Sequence, residues 1–150
     1  MTEATSPARE GGDPVKGPLD TQVGGDWYSR LAIQPVEVAM KNHWDACAFM
    51  ALQYLTRHRA KDGRKDLAKA RHCLALRRHF RPNRRPGRIK YADYLRENAI
   101  HLDDAMAIAA LWRWVEDGGE LHYIIAQDAI DWLMAECYPL LTCEGPRVAE

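Results

Sequence analysis

Residues 44–76, WDACAFMALQYLTRHRAKDGRKDLAKARHCLAL, constrain this chain more than any other stretch. Trp44, Ala48, Ala51 and Leu55 fall on one helical face, and Cys47, Met50 and Tyr54 mark a second apolar flank. A helix that is apolar around most of its girth belongs at the centre of a bundle. Small residues at 46, 48 and 51 let neighbours approach closely. The spacing predicts this helix over residues 44–60. Gly63 then breaks it, because glycine takes the left-handed conformation that ends a helix. A second arm, residues 64–80, carries Leu67, Ala70 and Leu74 as its stripe, with Cys73 beside them. The prediction is a helical hairpin with one apolar arm and one basic arm.

A formal net charge of zero conceals strong segregation. Residues 1–50 carry four Lys/Arg and seven Asp/Glu, residues 51–90 carry fourteen and two, and residues 91–150 carry three and twelve. The middle block should therefore set up a positive field. It can attract an anionic ligand, or dock the acidic C-terminal third within one chain or between subunits, or both. At 150 residues and 47% apolar content, the chain has the size and composition of one folded domain. Cys47, Cys73, Cys137 and Cys143 form no CxxC pair and read as reduced thiols. With no apolar leader segment and no run long enough to span a bilayer, a soluble cytoplasmic protein is expected.

Residues 1–25 are rich in Gly, Pro, Ser and Thr and read as a flexible tail before a single helical domain over residues 26–150. Pro35 suits a first helical position, and Glu37 in the first turn favours the helix dipole, so a short helix is expected over residues 35–42. After the hairpin, RPNRRPGR over residues 81–88 is a loop. Further helices are expected over residues 91–98, 104–116 (ended by Gly118-Gly119) and 121–138. No period-2 strand stands out, so the fold class is all-α, a compact bundle of five or six helices. Trp112 and Trp114 lie on different faces of one helix, which predicts one in the core and the other at an interface, a hint of a homo-oligomer.

Residues 46–74 and 105–133 align without a gap, pairing Ala48 with Ala107, Ala51 with Ala110 and Leu74 with Leu133. Arg57, Lys69 and His72 fall opposite Glu116, Asp128 and Asp131. The shared residues are all Ala or Leu, which points to common packing rules and not to duplication. The inverted charges would help the two segments pair.

Chemistry concentrates at the hairpin corner. Tyr54, Arg57 and Lys61 line one stripe, and Arg64, Lys65 and Lys69 follow the turn with Asp66 among them. A helix N-terminus there adds amide donors for an anion. Such a set suits a nucleotide: a ring to stack a base, cations for phosphates, and a carboxylate for a sugar hydroxyl or magnesium. The plain alternative is a solvated basic face with Asp66 as an ordinary ion-pair partner.

The run from Tyr28 to Leu74 resembles the SaV-like phage protein family, a domain of unknown function whose members are often labelled nucleotide kinase. The resemblance lies in Tyr28, Ile33-Gln34-Pro35-Val36-Glu37, Tyr54-Leu55-Thr56-Arg57, Lys61 and Asp66-Leu67-Ala68-Lys69-Ala70-Arg71. It makes residues 27–76 the family-like part and residues 91–138 an acidic helical part. Phe49-Met50 replaces the family's usual Gly-Asn, Gln53 its Lys, and Trp27 its His. The resemblance implies a nucleotide-related phage or prophage accessory protein of the host-cell cytoplasm. Tyr54, Arg57, Lys61, Asp66 and Lys69 would hold the nucleotide, with magnesium accompanying it, and Tyr28, Pro35 and Glu37 complete the motif. The departures weigh against phosphotransfer more than against binding.

Other chemistries are less well supported. There is no GxxxxGK[ST] and no GxGxxG. His43 and Cys47, with His72, Cys73 and His79, read as thiols beside a capping histidine, so no metal site is assigned. Asp103-Asp104 and Glu116-Asp117 lack the Glu-x-x-Glu spacing of all-α pyrophosphatases. Two alternatives remain: a non-enzymatic protein that inhibits a host protein through a charged helical face, and nucleic-acid binding through Arg77, Arg78, Arg81, Arg84, Arg85 and Arg88.

Overall fold

A computed structural model describes residues 15–140, and within them the protein is all-helical, with no strand. Six α-helices follow two short 3-10 turns: α1 (Pro35–Asn42), α2 (Ala46–Arg57), α3 (Arg64–Phe80), α4 (Tyr91–Glu97), α5 (Leu102–Asp117) and α6 (Glu120–Cys137). None is long and apolar enough to cross a membrane.

Local chemistry accounts for the boundaries. Pro35 opens α1, and Glu37 Oε1 accepts from the Gln34 amide at 3.3 Å. Asp45 caps α2 by accepting from the Ala48 amide at 2.9 Å, so α2 starts two residues after Trp44. It also ends at Arg57, earlier than expected, because residues 58–63 tighten into a turn closed by the Gly63 amide on the His58 carbonyl (2.9 Å). Gly63 sits at φ 52°, and α3 then occupies the expected residues 64–80. It stops at Arg81, which takes the left-handed conformation itself (φ 49°).

Two hairpins, α2–α3 and α5–α6, pack face to face, with α2 against α5 and α3 against α6; α1 covers α2 and α4 covers α5. The seam is built from small residues (Ala48, Ala51, Ala70, Ala107, Ala126) interleaved with Leu52, Leu74, Ile108, Leu111, Ile130 and Leu133, all fully buried. Charge reinforces it, as Arg71 binds Asp131 through two hydrogen bonds (2.7 and 3.2 Å) and Arg78 pairs with Glu120. The partner of Asp131 is Arg71, not the His72 that the ungapped alignment sets opposite it. The basic middle thus docks on the acidic third within one chain.

Both tryptophans of α5 are buried, correcting the expectation that one would face an interface. Trp112 meets Trp44 edge-on at 4.8 Å between ring centroids and Tyr94 at 5.4 Å. Trp114 is covered by the Arg77 guanidinium, 4.7 Å from its ring centre, and by Tyr123. The long arm of a cation supplies the apolar cover that the stripe on α3 lacks.

The packed body also begins before Asp26. Within residues 17–22, the Leu19 carbonyl accepts from Gln34 Nε2, and Gln22 Oε1 accepts from the Tyr28 amide at 2.6 Å. The rest of the expected tail, residues 1–14, lies outside the described residues, as does Cys143. Cys47, Cys73 and Cys137 are free thiols.

Candidate functional site

A spacing of four puts Phe49, Gln53 and Arg57 on one stripe of α2, and Tyr28 lies beside it. Tyr28, Gln34, Pro35, Phe49 and Gln53 line a cavity of about 260 Å³. That is below the roughly 300–1,000 Å³ of pockets for drug-sized ligands, a size suited to one planar ring system. The Tyr28 ring stacks on Trp27 with only 9° between planes. Its phenol oxygen accepts from Arg57 Nη1 at 3.3 Å and so joins the cavity to the cations of the hairpin corner.

At that corner Arg57 forms a forked pair with Asp66, from Nε to Oδ2 and from Nη2 to Oδ1, each 3.0 Å. Asp66 is fully buried and Arg57 nearly so. Hydrogen bonding to Asp66 raises the Arg57 pKa against the opposing effect of burial. Arg57 Cζ lies 5.0 Å and Lys69 Nζ 5.4 Å from the Tyr54 ring centre. Tyr54, Arg57, Asp66, Lys69 and Tyr28 therefore converge. Lys61 does not join them; like Lys65, it stands exposed at the turn. Pro35 lines the cavity, whereas Glu37 caps the start of α1 and pairs with Lys41 at 3.1 Å. Arg64 donates to the Met134 and Tyr138 carbonyls (both 2.9 Å), tying the corner to the end of α6.

The arrangement changes the expected division of labour. Two cations over the Tyr54 ring leave base stacking to Phe49 and Tyr28. Both Asp66 oxygens are engaged by Arg57, so Asp66 does not fit a magnesium ligand. Among the described residues no group of three His, Cys, Asp or Glu converges as a metal site would require. The cations left for an anion are Lys61, Lys65 and Lys69.

Sequence reasoning missed a second buried polar cluster on the other side of the same turn. His58 is fully buried, with Nε2 2.9 Å from Asp104 Oδ1 and Nδ1 2.9 Å from the Tyr138 hydroxyl. Arg59 adds two bonds to Asp104 (2.8 and 3.1 Å). Burial pushes the Asp104 carboxyl up, but hydrogen bonds from His58 and Arg59 outweigh it and hold the group below the usual carboxylate value. The cluster clamps the ends of α2, α5 and α6. With partners 46 and 80 residues from His58, no local motif announces it. Comparison with known proteins finds no matching family model, no matching curated protein and no matching solved structure.

Proposed function

We propose that the protein binds a nucleotide or nucleoside phosphate at the α2–α3 corner, the base entering the Tyr28–Phe49 cavity and the phosphate meeting Lys69. The observation that carries this reading is the Tyr28 phenol, which lines the cavity and accepts from Arg57 at 3.3 Å, so that an aromatic pocket and a cationic edge form one continuous surface. The Gln53 side chain supplies both a donor and an acceptor for a base edge. The resemblance to the phage family supports the same ligand class, since its motif residues Tyr28, Pro35, Tyr54, Arg57, Asp66 and Lys69 gather around this surface.

Binding, not phosphotransfer, is the activity proposed. Asp66, the carboxylate of the motif, is buried with both oxygens accepting from Arg57, and the other carboxylate of the turn, Asp62, stands exposed beside Lys61. The role is that of a phage or prophage accessory factor that sequesters or senses a nucleotide. Isothermal titration with a panel of nucleoside mono- and triphosphates tests it. Saturable binding is expected, weakened about tenfold or more by Lys69→Ala combined with Phe49→Ala, because a charge-assisted contact and a stacking face are lost. Absence of binding by the wild type, or equal affinity in the double variant, refutes the assignment.

A further inference from the structure

The far end of α3 carries a different feature. Arg77, Arg78, Arg81 and Arg84 converge with Trp114 and the Gly118-Gly119 turn around an open cleft of about 710 Å³. Lys69 and Arg81 stand twelve positions apart along α3, about 18 Å of helix axis, so the two are separate sites.

Each arginine reaches the cleft for a structural reason. Arg77 is 4% exposed, donates from Nε to Asp45 Oδ2 at 2.8 Å and holds its guanidinium over the Trp114 ring. Its Nη2 is buried and has no hydrogen-bond partner. Native proteins rarely leave such a donor unsatisfied, least of all on a charged group. Arg78 pairs with Glu120 at the rim and covers the Tyr123 ring at 4.8 Å. Arg84 donates to the Asp117 carbonyl through the space left by Gly118, where a Cβ would run into its guanidinium. Arg81 ends α3 and makes no side-chain hydrogen bond or ion pair among the described residues.

A second donor set closes the cleft. The 18-residue α6 begins at Glu120 behind Gly119, which has no side chain to cap it, so the first amides of α6 have no side-chain acceptor. Against these donors stand two carboxylates, Asp45 and Glu120, and the C-terminal carbonyls of α3. Four guanidiniums outnumber them.

We infer that the cleft between the C-terminus of α3 and the N-terminus of α6 is a second binding site, for a phosphate group. An incoming phosphate replaces Glu120 on Arg78, is held by Arg81 and Arg84, and accepts from the first amides of α6. Arg77 lies beneath these groups with its Nη2 closed off from solvent, and adds positive charge without a direct contact. The phosphate can belong to a free polyphosphate or to a nucleic-acid strand, since both present the same oxygens to a guanidinium fork.

The test uses the full, isotopically labelled chain and two probes, sodium pyrophosphate and an oligothymidylate strand, with the Gly118 and Gly119 amide resonances as readout. Saturable shifts at both glycines are expected. Arg81→Gly, which keeps the left-handed backbone without strain, should weaken binding about tenfold, and Lys69→Ala should leave it unchanged. Shifts with pyrophosphate assign the site to a small phosphate ligand. Shifts with the strand alone, lost steeply as salt rises, assign it to nucleic acid. No shift at these amides with either probe overturns the proposal, as does an Arg81→Gly variant that binds as the wild type does. The nucleotide-corner reading stands or falls separately, on Lys69 and Phe49.

Discussion

At its N-terminal end α3 lays Asp66 beneath Arg57, and the two charges satisfy each other through two 3.0 Å bonds. At its C-terminal end the same helix sends out Arg77, Arg78 and Arg81, of which the first is left with an unpaired nitrogen and the last with no anionic partner among the described residues. Cation density is similar at both ends. What differs is how many of those charges the fold has already consumed. A basic run in a sequence therefore measures local field, whereas pairing and burial decide which charges a ligand can use. At the corner that leaves lysines at the edge; at the cleft it leaves guanidiniums.

The comparison breaks most visibly at Asp66. Removing one member of a buried pair strands the other, at a cost of about 3–5 kcal/mol. Asp66→Ala should therefore lower the denaturant midpoint strongly with the slope unchanged. Arg57→Met combined with Asp66→Leu should recover most of that loss, since a well-packed apolar pair can replace a buried ionic one. If Asp66→Ala instead costs less than about 1 kcal/mol and abolishes nucleotide binding, the pair belongs to the ligand site and the contrast between the two ends of α3 dissolves.

An intermediate effect is expected at Asp104. Burial alone would raise its pKa, yet hydrogen bonds from His58 and Arg59 hold it lower in the folded state than in the unfolded chain. A depressed carboxylate contributes stability that is fully present above its unfolded pKa and is lost as pH falls through the folded value, here below about pH 4. The pH-linked part amounts to about 1.4 kcal/mol for each pH unit by which the fold depresses the carboxyl. Thermal melts from neutral pH down to about pH 3 should show a falling acid limb that flattens in Asp104→Asn. An unchanged limb would mean that the clamp at the turn does not draw on this charge.

Much of the architecture was legible because it rests on local signals. Pro35 with Glu37, and Gly63 with the stripe of Leu67, Ala70 and Leu74, placed α1 and α3 at the residues they occupy. The apolar girth of α2 marked its central position. The early end of α2 was not legible, because it comes from the Gly63 amide reaching His58, which leaves no pattern in residue type. Nor was the burial of Trp114, which depends on an arginine lying over its ring from another helix. At the candidate site the residues were legible and their partners were not. Arg57 and Asp66 could be named from spacing, but only the fold turns them toward each other. The Tyr28–Phe49 cavity forms because residues 17–22 and the Gln34 side chain fold back beside α2. Its lining draws on segments from Thr21 to Gln53 that share no periodicity.

The smallest effect belongs to the seam between α3 and α6. Arg71 and Asp131 are each about half exposed, so their forked geometry works against high dielectric and salt screening. A double-mutant cycle on the two should return a coupling of about 0.2–1 kcal/mol that shrinks as ionic strength rises. The apolar surface of Leu74, Ile130 and Leu133 beside them then carries the association of the hairpins, and the charge segregation along the chain selects the register in which they meet. A coupling above about 2 kcal/mol that salt does not weaken would reverse that order. The surface charges of the seam would then be as firmly committed as Arg57 and Asp66, and exposure would no longer separate the cations that hold the fold together from those open to a ligand.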